Sequence, residues 1–100
     1  MNGETAAPVI TGDSVVKLAR GVRLREDPVR GQTVLLAPER ALALDPIAIS
    51  VVKALDGERS LRAIASDFAR EFDAETETIL ADIFEMIAAF SERRLLEFVR

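Results

Sequence analysis

The sequence predicts a small α+β domain in which a three-stranded antiparallel sheet near the N-terminus is followed by a three-helix bundle. Three short apolar stretches separated by turn residues occupy positions 22–44, and apolar residues recur at helical spacing after position 45. One hundred residues are enough for one domain with a modest core. We expect a flexible tail at residues 1–14 and a single domain at residues 15–100.

The three predicted strands form a meander. Residues 22–25 alternate between an aliphatic side chain and arginine, as a half-buried strand requires. Aspartate, proline and glycine within residues 27–31 supply turn chemistry before a second strand at 33–37. The Pro-Glu pair at 38–39 turns the chain again, and residues 40–44 alternate once more. Such a meander leaves two strand edges open.

The first two helices carry clear capping signals. Asp45 is a good N-cap for a helix over residues 46–55, which begins with a proline. Gly57 suits the left-handed position that follows a helix end. Ser60 caps a second helix over residues 61–72, whose apolar residues keep the i, i+3, i+4, i+7 spacing.

The third helix is predicted to begin after Asp73, its cap, and to end near Arg93. Its apolar residues span an arc of roughly 160°, wider than the ~100° of a one-sided helix. The helix is therefore either deeply buried or packed on the core with one flank while the other lines a groove. Residues 95–99 form either a short strand or an extended tail, and the sequence leaves both open.

Composition excludes several classes of protein. The chain has no cysteine and no histidine, so disulfides, thiolate or imidazole metal sites and catalysis by either residue are excluded. The five glycines form no phosphate-binding loop. We expect no enzymatic activity, no cofactor and no metal. With no apolar stretch long enough to span a membrane, no secretion signal and a net charge of −4, we expect a cytoplasmic protein without membrane or nucleic-acid partners.

The segments GVRLRED, LLAPER and LALD, followed by a short helix and Asp56-Gly57, resemble the PqqD family of pyrroloquinoline quinone (PQQ) biosynthesis. The resemblance covers residues 16–99. It implies a winged-helix-like domain called a RiPP recognition element, RiPP denoting a ribosomally synthesized and post-translationally modified peptide. It also implies a peptide chaperone that binds the precursor peptide PqqA and presents it to the radical SAM enzyme PqqE.

The leading hypothesis is therefore a peptide-binding adaptor to which the guest adds a strand. Strand addition uses main-chain hydrogen bonds for affinity and side-chain pockets for specificity. The third predicted strand is the better candidate edge, because its alanines leave room on one face while its leucines can face the core. The third helix would form the opposite wall, as the resemblance also implies. The candidate peptide-binding residues are Arg40, Ala41, Leu42, Ala43, Leu44, Ile79, Ile83, Met86 and Phe90.

Two other functions stay open. A winged-helix DNA-binding regulator fits the element content, but the acidic start of the third helix opposes phosphate. A homodimer could bury an exposed edge and an apolar helix face. Separately, four arginines cluster around the first hairpin: Arg20, Arg23, Arg25 and Arg30. They form either a solvated strand face or a contact surface for an acidic partner.

Overall fold

Two three-stranded antiparallel sheets and three helices make up the domain in the computed structural model, which describes residues 9–99. The α+β class is therefore confirmed. The strands are β1 (Val15–Leu18), β2 (Arg23–Asp27), β3 (Gln32–Ala37), β4 (Arg40–Ala43), β5 (Asp56–Ser60) and β6 (Leu96–Val99). The helices are α1 (Pro46–Ala54), α2 (Leu61–Phe72) and α3 (Thr76–Glu92).

The predicted meander is present as the sheet β2-β3-β4, and no helix interrupts it. Leu24, Leu35 and Leu42 lie opposite one another across the three strands and face the core. Because side chains alternate along a strand, their neighbours face the other way. β2 and β4 are the two edges of this sheet.

The turns of the meander follow from side-chain chemistry. The Asp27 carboxylate accepts hydrogen bonds from the amides of Val29 and Arg30, and Gly31 completes the turn with φ +65°. At the second turn Glu39 has φ +64°, in the left-handed region that glycine usually occupies. The reversal there depends on the ring of Pro38, which fixes its own φ.

The second sheet, with strand order β5-β1-β6, was not predicted. β1 has only four residues, and β5 reads Asp-Gly-Glu-Arg-Ser, a composition poor in strand-forming residues. β1 pairs with β5 and β6, which are far from it in the sequence, so no local sequence pattern predicts the pairing. Gly57 has the expected positive φ, but it lies inside β5, where the register with β1 is irregular. β6 shows that residues 96–99 are a strand.

The capping predictions for α1 and α2 are confirmed. The Asp45 carboxylate accepts a 2.7 Å hydrogen bond from the Ala48 amide. The Ser60 hydroxyl accepts a bond from the Ala63 amide at 3.1 Å. Each cap satisfies one of the free amides at a helix start.

The prediction that Asp73 caps α3 is wrong. Asp73 ends α2 instead, in a left-handed conformation with φ 54° and ψ 52°. The Ala69 carbonyl accepts bonds from the amides of Asp73 and Ala74, which closes the last turn of α2. Glu75 precedes α3 without a side-chain cap. An aspartate between two helices can either end the first helix or cap the second. Here Asp73 ends α2, and α3 begins at Thr76.

Part of the predicted tail lies outside the described residues, and the part that is described contacts the domain. Residues 11–14 form a turn in which the Ser14 amide donates to the Thr11 carbonyl. The carbonyls of Gly12 and Ser14 accept bonds from the amides of Arg62 and Leu61, both at 2.9 Å. These bonds satisfy amides at the start of α2, and so they hold this segment against the helix.

The core lies between the sheets and the helices and is almost entirely aliphatic. Its fully buried side chains are Val16, Leu35, Leu61, Ile64, Leu80, Ile87 and Leu95. α2 and α3 pack against each other, and the C-terminal end of the domain closes over them through β6. Within residues 9–99, no helix has the length and apolarity to cross a membrane.

Arg59 connects three elements through its guanidinium group. It donates to the Asp56 carboxylate at 3.0 Å, to the Asp67 carboxylate on α2 at 2.7 Å and to the Ala54 carbonyl at the end of α1 at 3.2 Å. Backbone bonds from the amides of Arg59 and Glu58, together with the Arg59 side chain, lower the pKa of Asp56 to about 2. The hydrogen bonds that Arg59 donates to the Asp56 and Asp67 carboxylates raise the pKa of Arg59.

We predict that Asp45→Ala lowers the free energy of unfolding by about 0.5–2 kcal/mol, because the first turn of α1 loses its cap. Urea denaturation followed by circular dichroism measures this change. Asp45→Asn is the matched control, since the amide oxygen can still accept the Ala48 bond and most of the stability should remain. Equal stability of wild type and Asp45→Ala would show that the cap contributes nothing.

We also predict a pH-dependent contribution from Asp56. Its pKa is lower in the folded chain than the ordinary value of 3.8, so its charge stabilises the fold fully above that value. The contribution is lost as the pH falls through about 2. The stability difference between wild type and Asp56→Asn should therefore be largest near about pH 5 and shrink towards about pH 2. Urea titrations at several pH values measure it, and a constant difference contradicts the assignment.

Candidate functional site

The free edge of β4 is the first component of the candidate site. β4 pairs with β3 on one side only, and no described strand lies on its other side. An unpaired edge leaves backbone N–H and C=O groups available to a further strand. The free edge that the sequence predicted for the third strand of the meander is therefore present at β4.

The register identifies which backbone groups point outward. The Leu44 amide donates to the Thr33 carbonyl, so Leu44 bonds towards β3. Antiparallel pairing alternates, and Leu42 therefore also bonds inward, opposite Leu35. The amides and carbonyls of Ala41 and Ala43 point away from β3. Their side chains are exposed, and those of Leu42 and Leu44 pack against the core.

α3 runs beside β4 in the opposite direction. At one end the Arg40 guanidinium donates a 2.8 Å bond to the carbonyl of Arg93, just after α3. At the other end Asp45, which follows β4, lines the same groove as Asp82 and Met86 of α3. None of residues 40–44 lines the groove itself, and β4 leads to it through Asp45.

The groove at that end has a volume of about 650 Å³ and a mostly apolar lining. This volume is typical of binding clefts. The lining residues come from α1 and its cap (Asp45, Pro46, Ile47, Ala48, Ser50, Val51), from α2 (Phe68, Phe72) and from α3 (Ile79, Asp82, Ile83, Met86).

Two large apolar side chains at the groove are strongly exposed. Ile47 is 76% exposed and Phe72 is 62% exposed. The Phe72 ring stacks on Phe68 with centroids 6.1 Å apart. Neighbouring exposed apolar side chains in a concave surface are typical of a site that binds another apolar group.

The structure brings together most of the residues predicted on α3. Ile79, Ile83 and Met86 line the groove, although Ile83 is only 2% exposed and also belongs to the core. Phe90 is buried and does not line it. The predicted strand residues at 40–44 lie along the edge that leads to the groove.

The sequence analysis did not include Ile47, Phe68 and Phe72 among the candidate binding residues, because they belong to the regular apolar spacing of α1 and α2. Their helical spacing is the same as that of buried residues, so periodicity could not separate them. Phe72 offered one signal, because it is the last residue of α2 and helix ends are often incompletely covered.

The polar chemistry at the groove is limited. The Asp45 carboxylate is already used as a helix cap, and Asp82 is exposed on α3. Within the described part of the chain, no three acidic side chains lie close enough to hold a metal ion. The arrangement is suited to binding through backbone and apolar contacts.

Comparison with known proteins gives consistent matches. The family model described as coenzyme PQQ synthesis protein D (PqqD) matches residues 32–96. A protein named PqqA binding protein from Rhizobium meliloti (strain 1021) is 65% identical over 94 residues, which is 94% of this chain and 96% of that protein.

Two solved structures are also similar. One is the solution structure of the PqqD truncation of Methylobacterium extorquens PqqCD, described as a functional, stand-alone RiPP recognition element. It has a TM-score of 0.78 and 44% identity, covering 89% of this chain and 95% of that one. The other, a crystal structure of PqqD from Xanthomonas campestris, has a TM-score of 0.57 and 45% identity, covering 89% and 99%. With a family model matching most of its length and a relative this similar, the chain belongs to the PqqD family.

Proposed function

We propose that this protein is a non-catalytic peptide adaptor of PQQ biosynthesis that binds the precursor peptide PqqA and presents it to the radical SAM enzyme PqqE. It would act in the cytoplasm, as a winged-helix-like RiPP recognition element. The observation that carries the proposal is the open edge of β4 beside an apolar groove. The names of the relatives supply the identity of the guest.

The edge supports binding of an extended peptide. A guest strand would pair with the outward groups of Ala41 and Ala43 and become a fourth strand of the meander. Its main-chain hydrogen bonds would not depend on the sequence of the guest. The small alanine side chains leave space beside the guest on the exposed face.

The groove supports selection of the guest. Side chains of a bound strand alternate between two directions, so that every second one would face α3. Beyond the end of β4, the exposed side chains of Ile47 and Phe72, together with the partly buried Met86 in the same groove, could hold an apolar side chain. Burial of such a side chain contributes about 1.5–3 kcal/mol. Specificity would therefore come from where the apolar residues stand in the peptide.

Two alternatives are separable from this proposal. A homodimer that used the β4 edge would compete with the peptide, and light scattering with and without PqqA detects this as a loss of dimer. A DNA-binding role would require a basic helix, whereas the exposed surface of α3 carries Glu77, Asp82 and Glu85. A mobility shift that weakens with salt would support DNA binding.

We predict that Ala41→Pro and Ala43→Pro abolish PqqA binding and leave the fold intact. Proline removes an amide that points to the guest, and neither amide is used by β3. Leu42→Pro should instead damage the sheet, because its amide bonds inward. Isothermal titration calorimetry measures binding and circular dichroism measures folding.

Ala41→Ser is the matched control for this series. It changes the side chain at the same position, keeps the amide and should bind nearly as wild type does. Normal affinity in well-folded Ala41→Pro and Ala43→Pro variants would place the guest at another surface.

We predict that Phe72→Asp and Met86→Asp each weaken PqqA binding by roughly tenfold or more, because a carboxylate would face apolar guest side chains. Phe72 is exposed, so its variant should fold normally, whereas Met86 is partly buried against the core and the folding of its variant is checked by circular dichroism. Aspartate at Ile83 would enter the core, so that position is not used. Val29→Asp is the control. Val29 is 91% exposed in the turn between β2 and β3 and is not among the residues that line the groove, so calorimetry should show no change there. Equal affinities for all three variants would exclude the groove.

A further inference from the structure

The outer face of the sheet β2-β3-β4 carries a second apolar surface that the groove does not use. Val34 and Leu36 of β3 are only partly buried and, unlike Leu35 between them, do not pack against the core. Their partial exposure shows that no other element of the described chain covers this face completely. Two aliphatic side chains therefore lie at the centre of an incompletely covered face of the sheet.

The pairing register extends this surface into two parallel rows. Arg23 lies opposite Leu36, which lies opposite Ala41. In the second row Arg25 lies opposite Val34, which lies opposite Ala43. Directly opposed residues in an antiparallel sheet present their side chains on the same face. Each row runs from an arginine through an aliphatic residue to an alanine at the open edge. We call this surface the arginine face.

The two arginines of this face are exposed. Ion pairs among residues 9–99 use Lys17, Arg30, Arg59, Arg62 and Arg70. Arg23 and Arg25 are in none of these pairs, and both are exposed. In a chain of net charge −4, the charge of the arginine face is opposite to that of the molecule as a whole.

We infer that the arginine face binds an acidic, partly apolar surface of the enzyme that receives the peptide. The inference rests on the proposed function, because the rows end at Ala41 and Ala43. A guest strand added there would continue both rows with its own side chains. An enzyme seated on the arginine face would thus contact the adaptor and one side of the bound peptide together. Arg23 and Arg25 would favour an enzyme surface with acidic residues at its rim. Val34 and Leu36 would provide the apolar contact area at the centre of the interface.

The test uses the full-length protein and PqqE encoded by the same genome, with affinities measured by calorimetry in the absence and presence of PqqA. Arg23→Glu/Arg25→Glu should weaken enzyme binding by about tenfold or more and reduce its salt dependence. Val34→Thr/Leu36→Thr should weaken it as well. PqqA affinity should stay within about twofold for both variants, since they leave the β4 edge and the groove unchanged.

The matched control is Lys53→Glu/Arg94→Glu. It changes the net charge by the same amount at two exposed residues that are in none of the ion pairs among residues 9–99 and lie outside the two rows of the arginine face. Circular dichroism and urea denaturation confirm that every variant folds. Enzyme affinity should be nearly unchanged in this control.

Each other outcome overturns the inference. An equal loss in both charge-reversal variants shows only an effect of net charge. Unchanged enzyme affinity in the Arg23→Glu/Arg25→Glu variant, or no binding of wild type to PqqE, removes the arginine face as the enzyme site. Arginine-dependent binding to vesicles containing phosphatidylserine, with enzyme affinity unchanged, assigns the face to lipid instead. Failure of the wild-type protein to bind PqqA would refute the proposed function. This outcome is distinguishable from failure of the inference, because binding to the enzyme is also measured without peptide.

Discussion

The central strand β1 is the constraint on which the rest of the structure depends. It pairs with β5, from the middle of the chain, and with β6, from its end. β5 leads directly into α2, and β6 follows α3. By holding both strands, β1 fixes where the α2–α3 helical hairpin begins and where it ends. Val16 at its centre is 1% exposed, so this pairing is part of the core itself.

The position of the groove follows from that arrangement. α3 is fixed by β6 at its C-terminal end and by packing against α2 along its length. α1 begins directly after β4 and contributes Val51 and Val52 to the core, while Ile47 stays outside it. A helix of nine residues cannot cover both the core and the flank of α3. The uncovered flank, with Phe72 at its rim, is the groove.

In the described part of the chain, acidic residues near α2 and α3 are in ion pairs, whereas the two arginines of β2 are not. Arginines lie on the outer face of the meander, and carboxylates are concentrated where α2 meets α3. Two of these acidic residues form ion pairs within the domain: Asp67 pairs with Arg59 and Arg70, and Glu77 pairs with Arg62. Arg23 and Arg25 are in none of the ion pairs among residues 9–99. Under the two proposals above, the peptide would use the edge of β4 and the enzyme would use the outer face of the same sheet.

The sequence by itself determined the elements whose signals are local. Turn residues at 27–31 and 38–39 specify the meander, and the caps Asp45 and Ser60 specify two helix starts, because each depends on neighbours within a few positions. The resemblance of its motifs also identified the family. Tertiary structure alone decided the second sheet, since β1 pairs with strands roughly forty and eighty residues away. It also decided which apolar residues of equal periodicity are core and which line the groove, because exposure depends on what packs against a helix.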